Sequence, residues 1–260
     1  MSEGKQMLPL ERRTWLESEI KSKQRIEIEE ISKRLNVSSM TIRRDLIELE
    51  NEGKVIRTHG GAISPSTLTG EVPYSSKKVI NNNQKKQIAL KALSLVEENS
   101  IIILDSGTTT MELAKLLKSR GGLTIVTNDI KIANELIDSS PKVIVTGGEL
   151  QQGIGALYGS TTQNMLNSIH ADIFFLGTHA IDFNNGVTAP TFEKALIKQL
   201  MKSAAERTWL LADSSKFNKK SFVNVCEIEE IDGVITDDGL DKDVMHEYES
   251  KVDFLGISKI

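Results

Sequence analysis

The stretch at residues 28–54, IEEISKRLNVSSMTIRRDLIELENEGK, decides the fold of the first part of this chain. Its apolar residues recur at the spacing of an amphipathic helix in two runs: Ile28, Ile31 and Leu35, then Ile42, Leu46 and Leu49. The segment NVS between the runs leaves room for only a tight turn, and the second run opens with small polar and basic residues. Two short helices joined by such a turn predict a helix-turn-helix, whose second helix enters the major groove of DNA.

The start of the second helix carries the residues that would meet DNA: Ser38, Ser39, Met40, Thr41, Arg43 and Arg44. We expect Ser38 or Ser39 to cap the helix, where open amides also favour a DNA phosphate. Arg43 and Arg44 project about 100° apart, so we expect Arg43 to read base edges and Arg44 to bind phosphate. The alternative is an ordinary solvated helix face, on which Arg44 pairs with Glu48.

Flanking segments complete a winged domain. Before the helix-turn-helix, Leu10, Trp15, Leu16 and Ile20 share one face of a first helix, and QRIEI reads as a short strand. After it, KVIRTHGGAI predicts two short strands around a Gly60-Gly61 turn, the candidate wing. Arg57 and His59 on this wing are further candidates for DNA contact, although a surface ribbon often carries such residues for solubility.

A connector separates this domain from an alternating pattern of strands and helices. Residues 64–76, SPSTLTGEVPYSS, are rich in Ser, Thr, Pro and Gly, as linkers are. We therefore predict a DNA-binding domain at 1–63, a linker at 64–76 and a second domain at 77–260. The apolar strands IIIL, TIVT, KVIVT, DIFFL, TWLLA and DGVIT alternate with helical segments in the second domain. This pattern predicts an α/β fold with a mainly parallel sheet.

The strongest ligand-binding signal of the second domain is IIILD followed by SGTTT and a helix. It places Ser106, Gly107, Thr108 and Thr109 where a strand ends and a helix begins, a position that suits anions. The loop is neither a Walker A nor a G-x-G-x-x-G motif, and a capped helix after a strand is also a common packing device. Further polar segments end other strands: TND at 127–129, TGGE at 146–149, LGTHAID at 176–182 and, late in the chain, ADSSK with Asp213 and Lys216.

Composition bounds the function classes. The net charge of the 260 residues is −4, so an argument for DNA binding depends on the local pattern rather than on bulk charge. Apolar runs are far too short to span a bilayer, and a single cysteine, Cys226, with no signal-peptide pattern favours a reducing, cytoplasmic setting. The four histidines are scattered, and we predict no catalytic residues, no metal site and no cofactor.

The chain resembles the DeoR-type repressors of bacterial sugar metabolism over nearly its whole length. The resemblance is carried by Arg12, Leu16 and Ile20, by Ser38, Thr41, Ile42, Arg43, Arg44, Asp45 and Leu46, and by HGGA at 59–62. It implies that Asp45 orients the arginines and that the second domain resembles the ribose-5-phosphate isomerase-like fold. The residues it implies for effector binding are Asp105, Ser106, Gly107, Thr108, Thr109, Asn128, Gly148, Glu193, Asp213 and Lys216. The segment Thr178, His179 and Ala180 departs from the family pattern.

These observations predict a DNA-binding transcriptional regulator, a repressor of a carbohydrate-utilisation operon that responds to a phosphorylated sugar. We expect it to be a homo-oligomer, a dimer or tetramer, on double-stranded operator DNA. One alternative is a sugar-phosphate isomerase-like enzyme in which Asp105, Glu193, Asp213 and Lys216 form acid-base pairs. An enzyme has no need of the helix-turn-helix, so we predict that the chain is not one. Another is that the N-terminal domain binds a protein partner instead of DNA.

Overall fold

The computed structural model describes residues 7–256 except Gln24, Gly53, His59 and 65–73. The chain divides into two compact units, residues 1–80 and 81–260. Most of the predicted linker at 64–76 lies outside the described residues, and so does His59, so the linker and the contact of His59 with DNA stay predictions.

The N-terminal unit has the predicted winged helix-turn-helix. Its elements are α1 (Pro9–Lys23), β1 (Arg25–Glu27), α2 (Ile28–Leu35), α3 (Ser39–Asn51), β2 (Ile56–Arg57), β3 (Gly61–Ile63) and α4 (Tyr74–Val79). The turn between α2 and α3 begins at Asn36, whose left-handed backbone (φ 50°) ends α2; asparagine tolerates this conformation better than most residues. Strand β3 pairs with both β1 and β2 in an antiparallel sheet.

One face of α1 differs from the prediction. Leu10, which we expected to be buried with Leu16 and Ile20, is 69% exposed, whereas Arg12 is 7% exposed. Arg12, Leu16 and Ile20 follow one another at intervals of four residues and therefore form one stripe along the helix. Leu10 lies about 200° around the helix from Arg12, away from that stripe.

The wing also differs in one detail. Gly61 is not part of the turn but lies in β3, paired with Glu27 of β1. A Cβ atom at Gly61 would stand 1.8 Å from the carbonyl oxygen of Ile26. Glycine is therefore required here because β1 approaches the backbone closely.

The C-terminal unit alternates strands with helices. Its first half contains α5 (Asn82–Leu93), β4 (Ile101–Leu104), α6 (Thr108–Leu117), β5 (Thr124–Thr127), α7 (Ile130–Glu135), β6 (Lys142–Val145), β7 (Glu149–Leu150), β8 (Leu157–Tyr158) and α8 (Ser160–Leu166). Its second half contains β9 (Ala171–Gly177), β10 (Ala180–Asp182), β11 (Gly186–Ala189), α9 (Phe192–Ser203), β12 (Ala205–Leu211), β13 (Val223–Cys226), β14 (Gly233–Thr236), α10 (Lys242–Glu249) and β15 (Phe254–Gly256).

The main sheet confirms the predicted α/β architecture. It has seven strands in the order β15-β14-β12-β9-β4-β5-β6, and every neighbouring pair is parallel. All six strands that the sequence predicted lie in it. The hairpin β7–β8, the small antiparallel sheet β10-β11-β13 and the edge strand β15 were not predicted. Of these strands, β7, β8, β10 and β15 have only two or three residues, too few to show a periodicity.

Both faces of the main sheet are covered by apolar side chains. Phe174 and Phe175 on β9 are both fully buried, and as successive strand residues they point to opposite faces. Phe174 packs in the cluster that contains Ala195 and Met201 of α9, and Phe175 packs with Ile88 of α5 and residues of α6 and α7. Since every strand of a parallel sheet ends at the same edge, the polar segments after these strands come together there. None of the helices in the described ranges combines the length and apolar character needed to cross a membrane.

Candidate functional sites

The first site is the start of α3. Ser38 is the N-cap: its Oγ accepts a hydrogen bond from the Thr41 N–H at 3.1 Å and lies 2.9 Å from the Thr41 hydroxyl. The structure thus selects Ser38 over Ser39 as the cap. Met40 is 66% exposed, so the N-terminal end of α3 is open to solvent.

Arg43 and Arg44 are both exposed on α3. Within the described part of the chain, neither guanidinium forms a hydrogen bond or an ion pair. The alternative pairing of Arg44 with Glu48 is not formed, since the partner of Glu48 is Arg13 of α1, at 3.9 Å. Both arginines are therefore available for phosphate or base contacts.

Asp45 has a different role from the one implied by the family resemblance. It does not hold the arginines of its own helix but forms an ion pair with Arg12 of α1. The Arg12 Nε donates to Oδ2, and a terminal nitrogen of the same guanidinium donates to Oδ1 at 3.2 Å. Both side chains are less than a tenth exposed. Asp45 therefore joins the DNA-facing helix to α1, because a buried carboxylate needs a nearby cationic partner.

Arg57 at the wing is held within its own unit. Its backbone N–H and its Nε donate to the two carboxylate oxygens of Glu50 at 2.9 and 2.7 Å. Glu50 is only 5% exposed, so Arg57 neutralises a buried charge and fixes the wing to α3. Its contact with DNA, through the remaining guanidinium donors, stays a prediction.

The second site is a cavity of about 180 Å³ at the carboxyl edge of the main sheet. Four of the predicted effector residues line it: Asp105, Ser106, Asn128 and Glu193. The remaining wall comes from the β7–β8 hairpin region and the first turns of α9: Gln151, Ala156, Leu157, Tyr158, Thr191, Lys194, Ile197 and Lys198. We call this space the sensor cavity.

An ion pair lies at the wall of the sensor cavity. Asp105, which is 2% exposed, accepts hydrogen bonds from the Gly177 N–H at 2.9 Å and from the Lys198 ammonium. Lys198 also donates to the Gly177 carbonyl at 2.8 Å. The ends of β4 and β9 are thereby joined to α9. Lys198 was not among the predicted effector residues. It lies 93 residues after Asp105, and the sequence does not show that the two side chains form a pair.

Ser106 and Asn128 are held by neighbours on the β5 side of the cavity. The Ser106 hydroxyl donates to Asp129 Oδ2 at 2.8 Å. Burial raises the pKa of Asp129 above its usual range, although the hydrogen bonds from Ser106 and the Lys131 amide oppose that shift. The Asn128 Nδ2 donates to the Leu157 carbonyl at 3.0 Å. Asn128 Oδ1 is buried and has no hydrogen-bond partner among the described residues.

The start of α6 lies beside Ser106. Gly107 precedes the first helical residue, Thr108, and no side chain in the described part caps the helix. The amides of the first helical turn have no partner within the helix, so Thr108 and Thr109 offer N–H groups to an anion. Neither residue lines the sensor cavity itself.

Asp213 and Lys216 lie in a second polar cluster and do not line the sensor cavity. Asp213 is 2% exposed and accepts hydrogen bonds from Asn81 Nδ2 at 2.9 Å and from the Ser215 N–H at 3.1 Å. Burial alone would raise the pKa of Asp213, but the charge of Lys216 and the bonds from Ser215 and Asn81 outweigh it, with a contribution from Lys85, and lower the pKa. Effector contact by this cluster stays a prediction.

Gly148 has a packing role. Its φ is +113°, and a Cβ there would stand 2.3 Å from the Tyr158 carbonyl oxygen and 2.4 Å from Thr162 Oγ1. A side chain is therefore excluded, which explains the glycine without a ligand.

A winged helix-turn-helix with exposed arginines, on the same chain as an α/β unit with a polar cavity, defines a class: DNA-binding regulators that sense a ligand. Residues 12–68 match the model described as the DeoR-like helix-turn-helix domain, and residues 80–238 match the DeoR C terminal sensor domain. The chain belongs to the DeoR family of transcriptional regulators.

Curated relatives match along most of the chain. The HTH-type transcriptional regulator GlpR of Haloferax volcanii is 38% identical over 94% of this chain and 96% of its own length. A putative aga operon transcriptional repressor of Escherichia coli O157:H7 is 33% identical over 90% and 88%. An L-fucose operon activator of Haemophilus influenzae is 36% identical over 81% and 85%. These relatives are named as regulators and not as enzymes.

Among solved structures, ribose 5-phosphate isomerase A of Methanocaldococcus jannaschii matches 53% of this chain and 55% of its own, with 15% identity and a TM-score of 0.40.

Proposed function

We propose that this regulator is a homo-oligomeric repressor of a carbohydrate-utilisation operon, and that a phosphorylated sugar in the sensor cavity changes its affinity for operator DNA. The names of the aga operon repressor and the L-fucose operon activator support a role in the control of such operons. The observation that carries the proposal is Asn128 Oδ1, a buried oxygen without a partner in the described structure, on a residue that lines the cavity. Buried polar atoms are nearly always hydrogen-bonded, and we propose that a ligand bound in the cavity supplies the missing partner.

The surroundings of the cavity suit a small, polar, anionic molecule. Asp105 and Lys198 neutralise each other at its wall, so the pair presents polar atoms without adding net charge. No side chain of the described residues caps the start of α6; its amides lie outside the cavity lining, and a phosphate group that extends beyond the cavity would be able to bind them. The apolar wall, which includes Leu157 and Ile197, suits the carbon skeleton of a sugar.

For the DNA side, the exposed arginines support the predicted roles: Arg43 for base edges and Arg44 for phosphate, with Arg57 and His59 as additional contacts. A symmetric dimer or tetramer would place these helices on repeated half-sites. Effector binding would then act by favouring one arrangement of the DNA-binding units over another.

The test uses the full-length protein and two variants with opposite expected defects. Genomic fragments selected by the protein serve as the DNA, and a panel of sugar phosphates is screened by thermal shift and by DNA-binding anisotropy. A ligand at 100 times its Kd should stabilise the protein by about 2.7 kcal/mol and change its DNA affinity.

We expect Ser106→Ala to weaken the ligand response while DNA binding persists, and Arg44→Ala to weaken DNA binding while the thermal shift persists. If no sugar phosphate changes either the melting temperature or the DNA affinity, the proposed effector class is wrong. If both variants lose both properties, the separation into two sites is wrong.

A further inference from the structure

We propose that Ser106 and Asn128 present hydrogen-bond acceptors, and not donors, to the sensor cavity, so that this side of the cavity selects ligands by their hydroxyl protons. Asp129 is the positioning residue that imposes this direction on Ser106. The inference rests on the proposed function, and it deepens it: it states which part of a polyhydroxylated ligand the β5 side of the cavity recognises.

The direction of the Ser106 hydrogen bond follows from its partner. Asp129 is 0% exposed, its Oδ1 accepts the Lys131 N–H at 2.8 Å, and its Oδ2 lies 2.8 Å from Ser106 Oγ. Burial raises the pKa of Asp129, but the hydrogen bonds from Ser106 and the Lys131 N–H favour its ionised form. In that form the carboxylate can only accept hydrogen bonds, and a serine has a single hydroxyl proton. That proton is therefore committed to Asp129, and Ser106 has only lone pairs left for a ligand.

The orientation of the Asn128 side-chain amide follows from two hydrogen bonds to the β7–β8 hairpin. The Leu157 N–H donates to the Asn128 backbone carbonyl at 2.7 Å, and the Asn128 side-chain NH2 donates to the Leu157 carbonyl at 3.0 Å. Turning the amide over would put two oxygens against each other, so the network fixes its orientation. Oδ1 is left without a partner among the described residues, and an amide oxygen can only accept.

The two acceptors have the same chemical consequence. Sugar hydroxyls can donate to both, whereas phosphate oxygens are acceptors and would be repelled. The phosphate of a ligand is thus directed away from Ser106 Oγ and Asn128 Oδ1, and a hydroxyl-bearing carbon is directed towards them. A ligand that has the same shape but no proton at that position should be rejected, since it leaves buried acceptors unpaired.

Asp129→Asn is a nearly isosteric test of the direction. Asparagine is as good an N-cap as aspartate, and its oxygen can keep the bond from the Lys131 N–H. Its NH2 group then faces Ser106 and donates to Oγ, which releases the serine proton for the ligand. The variant therefore reverses the hydrogen-bond direction of Ser106 without removing either side chain. Asp138→Asn is the matched control, because it changes the charge equally at an exposed position three residues after α7.

The experiment measures Kd by calorimetry for the full-length protein and its variants. The probes are ribose 5-phosphate, glucose 6-phosphate and fructose 1-phosphate, each with its set of monodeoxy-monofluoro analogues. Fluorine keeps a hydroxyl's approximate size and accepts weakly but has no proton. In the natural protein, at least one fluoro analogue of the ligand that binds should be weaker by about tenfold or more.

Asp129→Asn should reduce this loss to less than about threefold, which is about half of the free energy that a tenfold loss represents, while Asp138→Asn keeps the natural ratio. Ser106→Ala, which removes the acceptor, should also reduce the ratio and serves as the second test if the Asp129 variant does not fold.

Three results would overturn the inference. If the fluoro analogues all bind as tightly as the parent sugar phosphate, or if Asp129→Asn and Ser106→Ala keep the natural ratio, the cavity does not select hydroxyl protons; the proposed function stands because the parent still binds. If none of the three sugar phosphates, nor any analogue, binds, this inference falls together with the proposed effector class.

Discussion

Breaking the ion pair between Arg12 and Asp45 should destabilise the DNA-binding unit severely. Both side chains are buried, with 8% and 7% of their surface exposed, and the guanidinium makes two hydrogen bonds to the carboxylate. Removing one partner of a buried pair leaves the other charge without compensation, which costs about 3–5 kcal/mol. Since small domains are stable by only about 5–15 kcal/mol, Arg12→Met or Asp45→Leu should leave the unit marginal.

A double-mutant cycle separates the pair from its surroundings. Arg12→Met combined with Asp45→Leu removes both charges at once, and an apolar replacement of a whole buried pair is often neutral or stabilising. We expect the double variant to be within about 2 kcal/mol of the natural protein, so that most of the loss in each single variant is recovered.

The chain contains a matched control between the same two helices. Arg13 and Glu48 also join α1 to α3, but at 3.9 Å and with 27% and 52% of their side-chain surfaces exposed. Exposed pairs contribute about 0–1 kcal/mol, so the same cycle at this pair should give a small coupling. The two cycles then compare a buried, doubly hydrogen-bonded pair with an exposed, longer one between the same helices.

Urea unfolding followed by the fluorescence of Trp15 is the assay. Trp15 lies on α1, and replacing Trp209 with phenylalanine makes it the only tryptophan of the chain. The reasoning is refuted if each single variant loses less than about 1 kcal/mol, the value of a surface pair, or if the two losses simply add in the double variant.

Arg44→Ala should lower the slope of log affinity for DNA against log salt concentration by about one unit, with little effect on sequence preference. Arg43→Ala should instead reduce the preference for the specific sequence by about 1–3 kcal/mol. Anisotropy titrations at several salt concentrations measure both quantities. Gly61→Ala should unfold the wing because its Cβ would stand 1.8 Å from a carbonyl oxygen of β1. The control Gly60→Ala meets only a movable carboxylate at 2.9 Å. The midpoints of urea unfolding compare the stabilities of the two variants. The pKa of Asp213 is lowered in the folded protein. The stabilisation that its carboxylate contributes is therefore present above the unfolded pKa of about 3.9 and is lost as the pH falls through the folded value. Thermal melts between about pH 6 and pH 3 should show that Asp213→Asn loses less stability on acidification than the natural protein.

Hydrophobic periodicity predicted most of the N-terminal unit because its helices each bury one stripe. Ile31, Ile42 and Leu46 are fully buried, as the spacing required. The periodicity failed at α1, where the stripe contains Arg12 in place of an apolar residue. Its partner Asp45 lies 33 residues away, and hydropathy does not reveal that two charged residues will neutralise each other inside a core.

The sensor cavity was predictable as an edge but not as a set of side chains. Buried β-branched strands identify a parallel sheet, and its carboxyl edge must collect Asp105, Asn128 and Asp213. Which of them share a cavity depends on the covering helices. Asp105 meets Lys198 of α9 on one face, whereas Asp213 is bonded by Asn81 at the start of α5, whose core residues pack on the other face.

The direction of a hydrogen bond is even harder to predict from the sequence. Serine can donate or accept, so the letters DSGTT are compatible with a loop that donates its hydroxyl to a phosphate and with one that receives a sugar hydroxyl. Here the choice is made by Asp129, 23 residues later, which takes the only proton that Ser106 has. A chain with the same loop and asparagine at position 129 would present a donor at the same place, with an almost unchanged backbone. Two regulators of this family with the same fold can therefore differ in ligand preference through one atom outside the loop that looks like the binding motif.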